Sequence, residues 1–199
     1  MSQKMAEQTK NAFEFVEKLY FEVSYLIKEI EGLLVREDEQ FQILKPSGYA
    51  VTTRNSTGLE PVNVEQWLTK NLTVFFCPKE GTDTKGGQTH TAFHDKLKLL
   101  FIHIRLVDKG VTQPQIIFGV LKDIHSKRDE TKFEKLAFEF AYSPYKILNT
   151  QNQIDFEDTY CSFKGNMKVE ELFVLKNSDD VAEKVVAPLV EMFRGDRSE

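Results

Sequence analysis

The segment KLKLLFIHIRLVD, residues 96–108, decides the class of fold. Alternate residues of an extended strand point to opposite faces of a sheet. One face of this strand carries Leu100, Ile102, Ile104 and Leu106, and the other carries Leu97, Leu99, Phe101, His103 and Arg105. Apolar residues on both faces predict a central strand that other elements cover on both sides for part of its length.

His103 and Arg105 are the polar residues that share a face with Leu99 and Phe101. An arginine that is buried needs a carboxylate or a bound anion, because an unpaired buried charge is costly. Glu139, which we expect on a neighbouring strand, is one candidate partner. Alternatively, both side chains reach the margin of the sheet and meet water, or they meet the acidic group of a small ligand.

The segments on either side of this strand extend the sheet. Apolar or alternating runs occur at FQILK (41–45), GYAVTT (48–53), LTVFFC (72–77), IIFGVLKDI (116–124), LAFEFAY (136–142), IDFEDTYCSF (154–163) and MKVEELFVL (167–175). Most connections between them are short and rich in turn residues, which favours antiparallel pairing. We therefore expect a mostly antiparallel sheet of about six to eight strands.

Two amphipathic helices flank the predicted strands. Residues 8–36 place apolar side chains at alternating spacings of three and four, which is typical of one helix stripe. The members of this stripe are Phe13, Val16, Tyr20, Val23, Ile27, Ile30 and Leu34. A second helix is expected from about Ser178 to Phe193, with Pro188 kinking or shortening it. The order helix, strands, helix indicates a single α+β domain, residues 1–199, with both helices packed on the sheet.

Phe21 and Tyr25 lie nearly opposite the centre of this stripe, at about 100° of rotation per residue. They are one turn apart, so that their rings can form one apolar patch between the stems of Lys18 and Lys28. We expect the whole stripe from Phe13 to Leu34 to pack on the domain, and the outer side of a helix packed on one face is normally polar. The two rings therefore indicate an interface, either with a second copy of the chain or with another protein.

The segment PKEGTDTKGGQTHTAFHDK, residues 78–96, is rich in glycine and holds two histidines. The first glycines have the spacing of a P-loop. Gly87 and Gln88, however, stand where the lysine and the hydroxyl residue that hold phosphate and magnesium should be. We expect a connection between two strands that is mobile or lacks regular structure from 79 to 92.

His90, His94 and Asp95 are the candidate metal ligands of the same segment. On a helix, two histidines at this spacing can bind one ion, whereas in a strand they would lie about 13 Å apart. With Asp83 as a further carboxylate, they would form the site of a metal-dependent phosphoesterase or nuclease.

The composition narrows the class of protein. The formal net charge is −5, which argues against general binding to the phosphate backbone of nucleic acids. The sequence starts without an apolar signal-peptide core, and no stretch is long and apolar enough to span a bilayer, so we expect a cytoplasmic protein without a membrane partner. Cys77 and Cys161 are then reduced thiols. The 16 phenylalanines must fill a core, form an interface or line a pocket.

The catalytic motifs are incomplete at the residues that carry the chemistry. We therefore predict a non-enzymatic cytoplasmic interaction protein that needs no cofactor and forms a homodimer through its first helix. Two alternatives stay open. One is the metal-dependent enzyme, and the other is a small-ligand-binding protein with a Phe-rich apolar pocket, in which His103 and Arg105 meet the ligand.

Overall fold

The computed structural model of the chain describes residues 3–45, 49–80, 83–85, 88–90, 97–107, 112–127, 133–148 and 152–195, with the backbone alone at 62, 83–85, 88–90 and 133–135. The strands are β1 (Gln42–Ile43), β2 (Asn71–Cys77), β3 (Asp83–Lys85), β4 (Gln88–His90), β5 (Leu99–Arg105), β6 (Gln115–Ser126), β7 (Gln153–Glu157) and β8 (Cys161–Glu171). The helices are α1 (Gln3–Leu34), α2 (Pro61–Val64), α3 (Phe133–Tyr142), α4 (Pro144–Ile147), α5 (Ser178–Val181) and α6 (Ala187–Gly195). A 3-10 turn at Leu172–Val174 and a π-helical segment at Ala182–Val186 complete the regular structure.

Six strands form one antiparallel sheet in the order β1-β2-β5-β6-β8-β7. The strand β5 lies between β2 and β6, and all its apolar side chains are buried on both faces. This confirms the predicted α+β fold, with a mostly antiparallel sheet, a long N-terminal helix and a C-terminal helix. Of the helices in the described residues, none combines the length and the apolar character that crossing a membrane requires.

The first face of the sheet is covered by both terminal helices. Val23, Ile27 and Ile30 of α1 pack in one core cluster with Val185 and Leu189 of the C-terminal helix, over the side chains that β5 and β6 direct to this face. The predicted packing of both helices on the sheet is therefore confirmed. At the outer margin of this layer, the Arg194 guanidinium lies 2.8 Å from a Glu39 carboxylate oxygen and 3.1 Å from one of Glu37.

The second face is covered by α3 and α4, and here the sequence prediction was wrong. The segment LAFEFAY, expected as a strand, belongs to α3. Leu136 and Phe140 satisfy both the period of a strand and the i, i+4 spacing of a helix, so the apolar pattern alone does not distinguish them. The alanines, the glutamate and the leucine of this segment favour a helix.

Phe140 holds α3 against the sheet. Its ring lies 5.1 Å from that of Phe75, 5.3 Å from that of Phe101 and 5.9 Å from that of Phe163, measured between centroids. The first of these pairs is edge-on, an arrangement that the charge distribution of aromatic rings favours. The phenylalanines of this layer therefore fill a shared core by direct contact.

The C-terminal helix is interrupted just before Pro188. In the π-helical segment Ala182–Val186, the Ala187 N–H donates to the carbonyl of Ala182, one residue farther back than in an α-helix. Pro188 has no N–H, so it leaves the carbonyl four residues before it without its usual donor. The expected irregularity near Pro188 thus takes the form of a looser turn, and the helix still continues to Gly195.

The glycine-rich connection is more regular than predicted. The strands β3 and β4 pair as an antiparallel hairpin, with Asp83 opposite His90. Of the two expected alternatives for residues 79–92, the lack of regular structure is therefore wrong for these strands. Residues 81, 82, 86, 87, 91 and 92 lie outside the described part of the chain.

Candidate interaction surface

Within the described part of the chain, the rest of the protein covers the helix α1 along only one half. All residues from 3 to 15 are exposed, and the buried residues of the helix begin at Val23. Where the body begins, the Tyr20 hydroxyl donates to the carbonyl of Thr69 over 2.9 Å. At about 1.5 Å per residue, the fully exposed part is about 20 Å long.

This uncovered half continues the apolar stripe of the helix. Phe13 lies on the stripe and is 65% exposed, and Val16, one turn farther along, is only half-buried. The expectation that the whole stripe from Phe13 to Leu34 packs on the domain is therefore wrong for its first part. A periodic pattern tells which residues share a face, and it does not tell whether anything lies against that face.

Phe21 and Tyr25 are exposed, at 55% and 67% of their surface. They lie away from the buried stripe. Neither ring is covered by a described segment of its own chain, as an interface role requires. Beside them, the Lys28 ammonium is bonded to the Glu31 carboxylate over 2.6 Å. That these rings form an interface stays a prediction.

A groove of about 430 Å³ runs between α1 and the segment that follows β8. Leu19 and Leu26 of α1 form one wall, and Phe173 and Leu175 form the other, with Tyr25 at the rim. The exposed ring of Phe173 was not identified from the sequence, because it falls at the end of an apolar run that reads as a strand. The groove makes the apolar surface of α1 continuous with that of the C-terminal part of the chain.

His103 and Arg105 lie on the same face of β5, as predicted, opposite Thr73 and Asn71 of β2. His103 is completely buried, and its Nδ1 lies 2.8 Å from the Thr73 hydroxyl, while its Nε2 has no partner among the described residues. Burial, with the charge of Arg105, lowers the pKa of His103 to about 3. The imidazole is therefore neutral near pH 7, and it is poorly suited to proton transfer there.

Glu139 does not lie on a neighbouring strand, and this part of the prediction was wrong. It is buried on α3, and its carboxyl interacts with the side chains of Ser143 and Asp158. Burial first, and then the charge of Asp158, raise the pKa of Glu139. Lys146 acts in the opposite direction.

The carboxyl pair makes stability depend on pH. The folded state raises the pKa of Glu139, so the stabilising contribution of this carboxyl to the free energy of unfolding is fully present at low pH. This contribution is lost as the pH rises and the carboxyl ionises in the folded protein. We expect Glu139→Gln to increase the free energy of unfolding at about pH 8 and to change it little at about pH 4. Asp158→Asn should act in the same direction, since it removes the neighbouring charge. Urea unfolding at both pH values measures this, and equal stability of wild type and Glu139→Gln at the higher pH would contradict it.

The described cysteines are not activated nucleophiles. Cys77 and Cys161 are free and buried. Burial raises the pKa of both thiols to about 12, and Asp158 and Glu139 add to the effect at Cys161. Both groups are therefore thiols and not thiolates near pH 7, whereas nucleophilic cysteines need the thiolate.

The candidate metal ligands fall where little of the chain is described. Only the backbone of His90 is described, and His94 and Asp95 lie outside the described residues. Within the described part, no three histidine, cysteine or acidic side chains are grouped so that they could hold a metal ion. The metal site stays a prediction of the sequence.

Among the described residues, α1 thus carries a run of exposed aromatic side chains, at Phe13, Phe15, Phe21 and Tyr25, and this run is a candidate interaction surface. Comparison of the chain with protein-family models, with curated proteins and with solved structures gives no match.

Proposed function

We propose that the protein is a non-enzymatic interaction protein of the cytoplasm that forms a homodimer through α1. The observation that carries the proposal is the uncovered half of this helix, where Phe13 and Phe15 are exposed at 65% and 67%. The two free, buried cysteines are in keeping with a reducing compartment.

The uncovered half gains stability from a partner. Isolated helices shorter than about 12–15 residues are marginal in water, because nucleation is costly and most helical stability comes from packing. Covering a phenylalanine removes about 150–250 Å² of surface from water, at about 25 cal/mol per Å² of apolar area. A partner that covers Phe13 and Val16 therefore gains free energy from buried apolar surface, and it also stabilises the helix that carries these residues.

The charges of α1 favour a second copy in antiparallel orientation. The first ten residues carry Lys4, Glu7 and Lys10, whereas the stretch from 14 to 22 carries Glu14, Glu17, Lys18 and Glu22. Antiparallel pairing places the positive segment of one copy against the negative segment of the other, and parallel pairing opposes segments of the same sign. Antiparallel pairing about a two-fold axis also gives the commonest symmetry of soluble assemblies.

Sedimentation velocity over a range of concentrations tests the proposal. We expect the wild type to have twice the mass of one 23.0 kDa chain, and the double variant Phe13→Glu, Val16→Glu to be monomeric. The matched control Asn55→Glu, Thr57→Glu adds the same two charges on the exposed loop before α2 and should remain a dimer. A wild type that is monomeric at the highest concentration overturns the proposal.

A third double variant, Phe21→Glu, Tyr25→Glu, locates the interface on the helix. If this variant alone dissociates, the homodimer forms through the outer face predicted from the sequence and not through the stripe. If both glutamate pairs dissociate the dimer, the contact extends around α1 and includes the groove beside Tyr25. Circular dichroism of each variant checks that the fold is retained.

A further inference from the structure

At one edge of the sheet, residues 51–53 lie beside β2, and their outer side forms a flank with no strand partner among the described residues. Thr52 forms a single antiparallel bridge with Thr73, and both backbone hydrogen bonds of this pair measure 2.8 Å. Because alternate residues of a strand direct their backbone groups to opposite sides, Val51 and Thr53 present theirs away from β2. No strand of the described residues pairs with this flank.

The flank forms one side of an apolar groove whose other side is α3. The groove has a volume of about 660 Å³. The rings of Phe138 and Tyr142 stack with their centroids 4.2 Å apart, and Tyr49 lies at the mouth with most of its ring exposed. The Arg54 guanidinium lies 4.8 Å from the centroid of the Tyr142 ring. Backbone donors and acceptors, an aromatic wall and a positive charge therefore converge on one groove.

We propose that this groove binds an extended peptide segment of another protein, which adds to the sheet as a strand beside residues 51–53. Its backbone pairs with that of Val51 and Thr53, and its alternate apolar side chains lie against Phe138 and Tyr142. A carboxylate of the segment pairs with Arg54. The occupant is thus an extended peptide with alternating apolar residues and at least one aspartate or glutamate.

Two features favour this occupant over a helix or a small molecule. Sheet edges that must stay unpaired are normally protected by charged residues or proline, and residues 49–53 are Tyr-Ala-Val-Thr-Thr, with neither. Peptides that add to a sheet edge gain affinity from main-chain hydrogen bonds and specificity from pockets for alternate side chains. The groove offers both kinds of contact along its length, whereas a helix satisfies its own backbone and leaves the edge unpaired.

Selection from a library of random displayed heptapeptides tests the proposal. We expect enriched sequences with apolar residues at alternate positions and an acidic residue near one end. Fluorescence anisotropy with the best synthetic peptide should give a Kd that Tyr142→Ala and Arg54→Ala each weaken at least tenfold. Val51→Pro, which removes the backbone N–H, should abolish binding. Val169→Ala, at an exposed apolar residue of β8, is the control that should leave the Kd unchanged.

Three results would overturn the proposal. The first is no enrichment over a column without protein, and the second is a selected peptide that binds Tyr142→Ala and Arg54→Ala as tightly as the wild type. The third is loss of self-association in Tyr142→Ala, because a second copy would then occupy the groove. Thermal unfolding of each variant separates lost binding from lost folding, so the two surface variants decide the outcome even if Val51→Pro does not fold.

Discussion

Replacing Gly119 with alanine is expected to lower the free energy of unfolding by about 3 kcal/mol, at the upper end of the range for overpacked cores. Gly119 lies in β6, paired with Phe101 of β5 on one side and Met167 of β8 on the other. A Cβ atom at this position would lie 2.1 Å from the Asn166 carbonyl oxygen and 2.9 Å from the Met167 Cα. These are backbone atoms of the neighbouring strand, so relief requires β8 to move away from its partner.

Gly32→Ala is the matched control for this substitution. Gly32 is exposed near the end of α1, and an added Cβ would meet nothing within 4 Å. In a helix, alanine is favoured over glycine by about 0.8–1.0 kcal/mol, so this variant should be more stable than the wild type. Urea unfolding followed by circular dichroism measures both variants. A loss of less than about 1 kcal/mol for Gly119→Ala would contradict the close approach of β6 and β8, since overpacking typically costs 1–3 kcal/mol.

Phe140→Ala is expected to lower the free energy of unfolding by about 3–5 kcal/mol, as for other large buried aromatic residues. The ring is completely buried and contacts those of Phe75, Phe101 and Phe163. Its removal leaves a cavity between α3 and the second face of the sheet, and the rings around it cannot close that space without moving a strand.

Phe138→Ala on the same helix is the control, and it also tests the nature of the segment. Phe138 is 47% exposed and stacks on Tyr142 at the surface, so its removal should cost about 1 kcal/mol or less. In a strand, Phe138 and Phe140 would share one face and would have similar effects. Similar losses of stability for the two variants, measured by urea unfolding, would therefore contradict the helix.

The sequence predicts those parts of the fold in which the apolar pattern fits only one kind of secondary structure. The strand β5 is apolar on both faces, which only a covered position in a sheet allows, and the stripe of α1 is too long and regular for a strand. The apolar pattern of α3 fits both a strand and a helix, because Leu136 and Phe140 match the period of each. Its environment decides between them, since a helix places both residues, with Ala137, on the side that meets the sheet.

The candidate site is predictable to a smaller extent, because sequence spacing describes one element at a time. Phe21 and Tyr25 are identifiable as off-stripe aromatics, and their exposure follows from the position of the stripe. The exposure of Phe13 does not follow, since it depends on where the body of the protein ends along α1. The groove between α3 and residues 49–53 depends on two segments that are distant in the chain, and no local pattern in either of them shows that they are neighbours.

The helix α1 is one uninterrupted element, without glycine or proline before Gly32. Its C-terminal part packs in the core, and its N-terminal part is exposed to solvent. Helix formation is cooperative, so order at one end favours order in the adjoining turns, and fraying that starts at the free end weakens them. A partner that orders residues 3–15 therefore also stabilises the turns that lead into the core at Val23. Through mass action, the apparent stability of the whole domain then rises with the concentration of whatever occupies that free end.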